Sequence, residues 1–245
     1  MAHLERLGID DVRRPSFDEV DDVLEGGAEV ELVAVLLDVA DVRRADRVLE
    51  AQQQMALQDR LGLEDVDRGH SRSASVERGD EGAFLAALSG LGAEVEAVGE
   101  AEPLGRGGGL RLAATRRQEE GPVLALNGDE LLDVDFRALL SEHAASGAAG
   151  TIVVAQVRSP FGVVEVEEDG TVTGFREAPL LDHWVNSGVY VLGEEALALL
   201  PEKGDHEQST FPQLAGERRL HAHRHEGVWL TVNTPKDLRR VAEFL

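Results

Sequence analysis

The tetrapeptide Val123-Leu124-Ala125-Leu126 stands between Gly121-Pro122 and Asn127-Gly128. Every position in it is apolar, so a strand here must be buried on both faces, as inside a parallel sheet. Asp135–Ala145 follows with the spacing of an amphipathic helix, with Asp133 or Asp135 as its N-cap, and Thr151–Val157 is a second apolar strand. Strand, helix, strand in that order implies a right-handed crossover. The expected fold is α/β, a mixed, mostly parallel sheet with helices on both faces.

The flanking segments extend this pattern. Phe84–Leu91 and Leu110–Arg117 read as helices and Val95–Val98 as a strand. Gly162–Val166, the turn Glu168-Asp169-Gly170 and Thr171–Phe175 make a hairpin pattern. Trp184–Leu192 reads as a strand and Glu194–Leu200 as a helix ended by Pro201. Arg219–His225 and Val228–Val232 read as strands, and Pro235–Leu245 as a closing helix with Thr234 as its N-cap. Upstream the pattern is less regular. Val30–Leu37 has the look of a buried strand, Arg43–Leu61 has helical spacing, and Asp67–Gly82 reads as a polar loop or linker.

Composition removes several functions. A net charge of −23 argues against a nucleic-acid surface, which needs a basic patch. The same charge repels phosphorylated ligands at long range, so a site for them needs Mg²⁺, backbone N–H groups or a few arginines. Lys203 and Lys236 are the only lysines. The absence of cysteine excludes disulfides, thiolate chemistry and cysteine-bound zinc. No apolar run approaches the roughly 20 residues that span a bilayer. The N-terminal residues carry no apolar signal stretch, so the expected compartment is the cytoplasm.

Three constellations carry chemistry. Glu102-Pro103-Leu104-Gly105-Arg106-Gly107-Gly108-Gly109 leads into a helix, where glycines admit a ligand to the backbone and leave free N–H donors at the helix start, unless the stretch is an ordinary flexible loop. Asn127-Gly128-Asp129 follows the strand at 123–126, and ligands of open α/β sheets bind at the carboxyl ends of strands. An aspartate there suits Mg²⁺, which prefers carboxylate and phosphate oxygens; the alternative is a turn with Asp129 as a cap. The third is an ordered series: Phe161-Gly162-Val163-Val164-Glu165, Gly174-Phe175-Arg176-Glu177-Ala178-Pro179, Trp184-Val185-Asn186-Ser187-Gly188-Val189-Tyr190, and Trp229-Leu230-Thr231-Val232-Asn233-Thr234-Pro235. Separately, His221, His223 and His225 share one face of a strand. They could bind a transition metal, but no partner carboxylate is evident in the sequence, and a solvated strand face is the simpler reading.

In order and spacing these motifs resemble the sugar-1-phosphate nucleotidyltransferases, or nucleoside-diphosphate-sugar pyrophosphorylases, and most of all their mannose-1-phosphate guanylyltransferase-like members. The resemblance runs from about Phe84 to Leu245. It implies a Rossmann-like mixed sheet with flanking helices, and transfer of a nucleoside monophosphate from a nucleoside triphosphate to a sugar 1-phosphate with release of pyrophosphate. It implies Mg²⁺ as cofactor, those two substrates as partners, no membrane, and leaves a homo-oligomer open. By motif, Glu102, Gly105, Gly107, Gly108 and Gly128 would line the nucleotide, and Asp129 would be the catalytic and metal-binding carboxylate. Gly162, Glu177 and Asn186 would meet the sugar.

The chain departs from that family at defined places. The family's Gly-Gly-x-Gly-Thr-Arg-Leu loop and the lysine after it have no counterpart in residues 1–82. Glu177-Ala178-Pro179 stands where the family has Glu-Lys-Pro, and Thr231 and Asn233 replace the aspartate and glycine of its closing motif. Residues 1–82 therefore read as an atypical segment, either altered by rearrangement or reading frame or a genuine replacement packed on the sheet. Residues 83–245 read as the nucleotidyltransferase-like domain. A catalytically inactive, nucleotide-sugar-binding regulatory homologue is the alternative function.

Overall fold

Alternation along single strands sets how the layers stack. In the computed structural model, Val123 and Ala125 face one core cluster while Leu124 and Leu126 face another. The structure describes residues 31–35, 72–88, 95–117, 120–232 and 237. In chain order its strands are β1 (Glu31–Val35), β2 (Arg72–Glu77), β3 (Val95–Glu100), β4 (Val123–Asn127), β5 (Glu130–Leu132), β6 (Gly150–Arg158), β7 (Val163–Val166), β8 (Val172–Arg176), β9 (Leu180–Leu192), β10 (Leu220–His225) and β11 (Trp229–Thr231). Its helices are α1 (Glu81–Leu88), α2 (Gly105–Ala114), α3 (Phe136–Ser146), α4 (Glu194–Ala198) and α5 (Thr210–Gly216).

The main sheet has the order β10-β6-β9-β4-β1-β2-β3. The pairs β10–β6, β4–β1, β1–β2 and β2–β3 are parallel, and only β9 runs against its neighbours β4 and β6. The sheet is thus mixed and mostly parallel. On one face Leu110 and Ala113 of α2, Ala196 and Leu197 of α4, and Phe211 and Leu214 of α5 close over Tyr190 and Leu192. On the other, Phe136 and Leu139 of α3 close over Val153, Val189 and Val191. The helices therefore lie on both faces, each covering one alternating set of strand side chains.

Local chemistry fixes the ends of α3. The Asp135 carboxylate accepts the Ala138 N–H at 3.0 Å, which selects it over Asp133 as the N-cap. Gly147 ends the helix with φ of 62°. The expected hairpin is β7–β8, closed by Gly170 at φ of 88° and by the Thr171 N–H donating to Asp169.

The segment before residue 83 joins the sheet more fully than its polar stretch suggests. The polar stretch 67–82 is not a linker throughout: residues 72–77 are β2, paired on both sides within the sheet. Its serines are buried because they are satisfied, Ser73 donating to the Ala113 carbonyl at 2.9 Å and Ser75 to the Glu100 carboxylate. The strand expected at 30–37 is β1, which lies between β4 and β2, so the segment before residue 83 contributes two strands to the same sheet. Helix α5 was not anticipated, because Pro212 reads as a breaker although a proline is tolerated in a first turn. The helical spacing at 43–61 and the closing helix lie outside the described residues, except that Asp237 is helical.

Candidate functional site

Because β1 to β4 are mutually parallel, their carboxyl ends share one edge, with Val35 beside Asn127 and Glu77 beside Glu100. At that edge β4 turns through Gly128 and Asp129 into β5. Asp129 is half-buried, and its carbonyl accepts the Val232 N–H at 2.8 Å. The turn is therefore tied from behind by the chain that follows β11, which pairs with β5 so that Thr231 lies opposite Glu130.

Strand β9 meets this turn at its closest point. Gly188 has φ of +80°, and a Cβ there would lie 2.7 Å from Glu130 Cγ and 2.9 Å from Asn127 Nδ2. Only glycine permits both the backbone angle and the approach. Two residues earlier, exposed Asn186 accepts the Gly188 N–H at 3.1 Å and donates to the Tyr190 hydroxyl at 2.9 Å. Tyr190 is buried edge-on against His206 and Phe211, with ring centroids at 5.1 and 5.0 Å. Burial holds its phenol well above the ordinary range. Asn186 is thus oriented from the core, while its exposed side faces outward.

Beside Asp129, burial pushes the Glu130 carboxyl up to about 8, Asp129's negative charge adds to this, and the Trp229 indole N–H, donating at 2.7 Å, offsets part of it. At neutral pH Glu130 is therefore mostly protonated in the free chain.

Gly162 and Glu177 are brought together beyond β6. A Cβ at Gly162 would lie 2.5 Å from the Phe175 ring and 3.1 Å from Glu177 Oε2. Glu177 is exposed, and the next residue, Ala178, takes a left-handed φ of 43° before Pro179 accepts the Ser159 N–H at 2.9 Å.

The glycine stretch behaves differently from the expectation. Gly105 to Gly109 are not a loop ahead of a helix but the first half of α2. The donors expected to be free are taken: Gly107 and Gly108 N–H donate to the Gly204 carbonyl at 2.9 and 3.2 Å, and Arg106 N–H donates to Asp205 at 3.1 Å. A Cβ at Gly107 would lie 2.7 Å from His206 N, and one at Gly108 2.7 Å from the Glu202 carbonyl. In the free chain these glycines let α2 pack against the backbone of residues 201–206. Glu102 is exposed and pairs with Lys203 at 2.5 Å, which lowers its carboxyl below the ordinary value.

The histidine face of β10 is not simply solvated. His221 and His223 both meet the Glu142 carboxylate of α3, the first at 2.8 Å, and His225 meets Asp133 at 3.0 Å. Glu142 arrives from helix α3 packed across that face, and Asp133 from the segment just before that helix. Sequence reasoning also missed Asn127, Glu130, Tyr190 and His206; of these, only Asn127 and Tyr190 stood inside a motif, and neither Glu130 nor His206 carried a signal.

The fold is a mixed, mostly parallel α/β sheet, with the Asn127–Glu130 turn meeting Gly188 of β9 at the carboxyl edge of its parallel strands. The chain belongs to the nucleotidyl transferase family, whose model matches residues 76–245. It is 35% identical over 153 residues to the mannose-1-phosphate guanylyltransferase catalytic subunit beta of Drosophila pseudoobscura pseudoobscura, a match covering 60% of this chain and 41% of that protein. It is 35% identical over 146 residues to the mannose-1-phosphate guanyltransferase of Candida albicans, covering 56% of this chain and 40% of that one. The chain thus matches well under half the length of these relatives. Among solved structures, HddC from Yersinia pseudotuberculosis aligns with a TM-score of 0.64 at 16% identity, over 88% of this chain and 99% of that one. HddC complexed with GMP-PN aligns at 0.62 and 15% identity, over the same shares. At such identities the likeness shows the fold alone.

Proposed function

We propose that the chain is a sugar-1-phosphate nucleotidyltransferase, with a guanine nucleotide and mannose 1-phosphate as its substrates. The observation that carries this reading is the meeting of the turn after β4, Asn127 to Glu130, with Gly188 of β9, whose N–H donates to Asn186. Family membership and the names of the two relatives support the substrate pair.

The donor chemistry fits magnesium: Asp129 would offer a hard carboxylate at the carboxyl edge of the parallel strands, and substrate phosphates would complete such a shell. When bound, the ion would neutralise charge on the triphosphate. The chain's own residues do the positioning. Glu177 and Asn186 hold sugar hydroxyls, and Gly162, lacking a Cβ, admits the ring to the backbone beside Glu177. Gly128 lets the phosphates approach the strand end. Gly105 and Glu102 flank the base and ribose, with Gly107 and Gly108 shaping the α2 start behind them. The sugar phosphate oxygen then bonds to the α-phosphorus, the bond from that phosphorus to the β-phosphate bridge breaks, and pyrophosphate leaves. In-line transfer of this kind depends mainly on alignment and charge neutralisation.

A second reading is favoured by specific positions. Ala178 stands where a lysine is expected, Thr231 where a carboxylate is expected, and the phosphate loop has no counterpart. A homologue that binds nucleotide sugar without turnover would keep the sugar side and lose the phosphate side. Pyrophosphate release from GTP and mannose 1-phosphate in Mg²⁺ separates the two. Release that disappears in Asp129→Ala supports the enzyme; no release, together with tight binding of GDP-mannose, supports the regulatory homologue.

A further inference from the structure

Asp129 lies on a short turn, and short turns need outside support to hold a side chain still. That support is gathered four residues later in a compact knot. The Asp133 carboxylate accepts the Val228 N–H at 2.6 Å and faces His225 Nε2 at 3.0 Å. The same imidazole N–H also points at the Val228 carbonyl, at 3.0 Å, and the Asp133 N–H donates to that carbonyl at 3.3 Å. Gly227 completes the arrangement, because a Cβ there would lie 2.3 Å from the Asp133 carboxylate and 2.7 Å from the His225 ring. His225 is buried.

The knot sits where β5 ends and β11 begins. From it β11 runs back along β5, with Trp229 opposite Leu132 and Thr231 opposite Glu130. The return is closed by the Trp229 indole on Glu130 and by the Val232 N–H on the Asp129 carbonyl. One end of this two-stranded ribbon is therefore the Asp133–His225 pair and the other is Asp129.

We propose that Asp133 and His225 are positioning residues for Asp129, their ion pair locking β11 onto β5 and so fixing the turn that carries the Asp129 carboxylate. The proposal rests on the nucleotidyltransferase reading of that carboxylate. The groups facing His225 are few. Asp133 approaches from the segment before α3, while the next histidine on the same face, His223, is already held by Glu142 of α3. Burial opposes protonation of His225, but the bonds to Asp133 and the Val228 carbonyl, with Asp133's charge, outweigh it and raise its value above 6.5. Burial likewise opposes ionisation of Asp133, and His225 and the Val228 N–H reverse that, holding its carboxyl below 3.8. The charged pair is complete between those two limits. It weakens as pH rises through the raised histidine value, because a neutral donor makes the weaker bond.

The test uses a Trp184→Phe background, which leaves Trp229 as the single tryptophan reporting on β11. Trp229 emission and the Kd for GTP with Mg²⁺ are followed from acid to alkaline pH in that protein and with Asp133→Asn or His225→Gln added. Asp133→Asn keeps an acceptor for the Val228 N–H while removing the charge, so the fold survives, and far-UV circular dichroism verifies it. The expected result is a red shift and a rising Kd that move together with pH in the parent. In His225→Gln the step at the raised histidine value should be gone from both, leaving only the change near pH 8 that belongs to Glu130 on the Trp229 indole. Asp133→Asn should weaken binding on the order of tenfold below the raised histidine value, the difference from the parent shrinking above it. Parent-like emission and Kd in Asp133→Asn below the raised histidine value, or a step at that value that persists in His225→Gln apart from the Glu130 change near pH 8, overturn the proposal. Failure of the parent to bind GTP at any pH overturns the nucleotidyltransferase reading instead, and Trp229 emission then still decides whether the pair holds β11.

Discussion

Replacing Gly107 by alanine sets two opposed effects against each other inside α2. Helix propensity alone favours alanine by up to about 1 kcal/mol. The packing does not: the new Cβ would stand 2.7 Å from His206 N, 2.7 Å from Pro201 Cγ and 2.9 Å from the Gly204 carbonyl. Two of those three atoms are backbone, and ordinary contact begins at 3.4 Å, so the segment 201–206 must move by most of an ångström. That segment is held by the Gly204 N–H on the Leu104 carbonyl at 2.7 Å and by the Gly107 and Gly108 N–H groups on the Gly204 carbonyl. Overpacking of this kind costs about 1–3 kcal/mol, and each strained hydrogen bond adds about 1 kcal/mol. After the propensity gain is subtracted, a net loss of about 2 kcal/mol is expected, which lowers Tm by roughly 4–8 °C for a chain of this size. Gly216→Ala is the control, since nothing lies within 4 Å of its Cβ position and its φ is ordinary; its Tm should stay level or rise slightly. Thermal unfolding by circular dichroism measures both. A Gly107→Ala protein as stable as wild type would refute the close packing of α2 on this segment.

Two further perturbations bear on the same region. Tyr190→Phe removes the hydroxyl that accepts from Asn186 at 2.9 Å; stability should fall by about 1 kcal/mol and the KM for sugar phosphate should rise with kcat little changed, read from urea unfolding and steady-state kinetics. His206 is buried with neither ring nitrogen in a hydrogen bond among the described residues, Nδ1 lying 3.8 Å from the Glu207 carboxylate, and burial lowers its value from 6.5 despite that charge. The unfolded chain then binds a proton that the folded chain resists, so stability should drop as pH falls below about 6.5, and His206→Phe should lose that part of the slope in denaturation across pH 5–7. His225 acts in the opposite sense, stabilising at low pH and losing that contribution as pH rises through its raised value.

What the sequence disclosed, and what it hid, follows from the range of the interactions involved. β4 was visible because burial on both faces leaves an uninterrupted apolar run at 123–126. The N-cap and stop of α3 were visible in outline because capping is local. Strand β2 was hidden because its buried serines are satisfied by Ala113 and Glu100, partners 40 and 25 residues away. The glycine stretch was read as a ligand loop because its true neighbour, the backbone at 201–206, lies about a hundred residues downstream. The same distance hid the carboxylates of the β10 face, Glu142 being 79 residues from His221. Asp129, Asn186, Gly162 and Glu177 are candidates that the motifs themselves single out. Glu130 and the Asp133–His225 pair are not, since their significance lies in strand register, which motif spacing does not encode.

A nucleotidyltransferase of this kind must hold a triphosphate at the Asp129 edge. Isothermal titration of the chain with GTP in Mg²⁺, compared with Asp129→Ala and with chelated metal, addresses this directly. Micromolar, metal-dependent binding in wild type that vanishes in the variant is the predicted result. Equal binding by wild type and Asp129→Ala, or none by either, would contradict it.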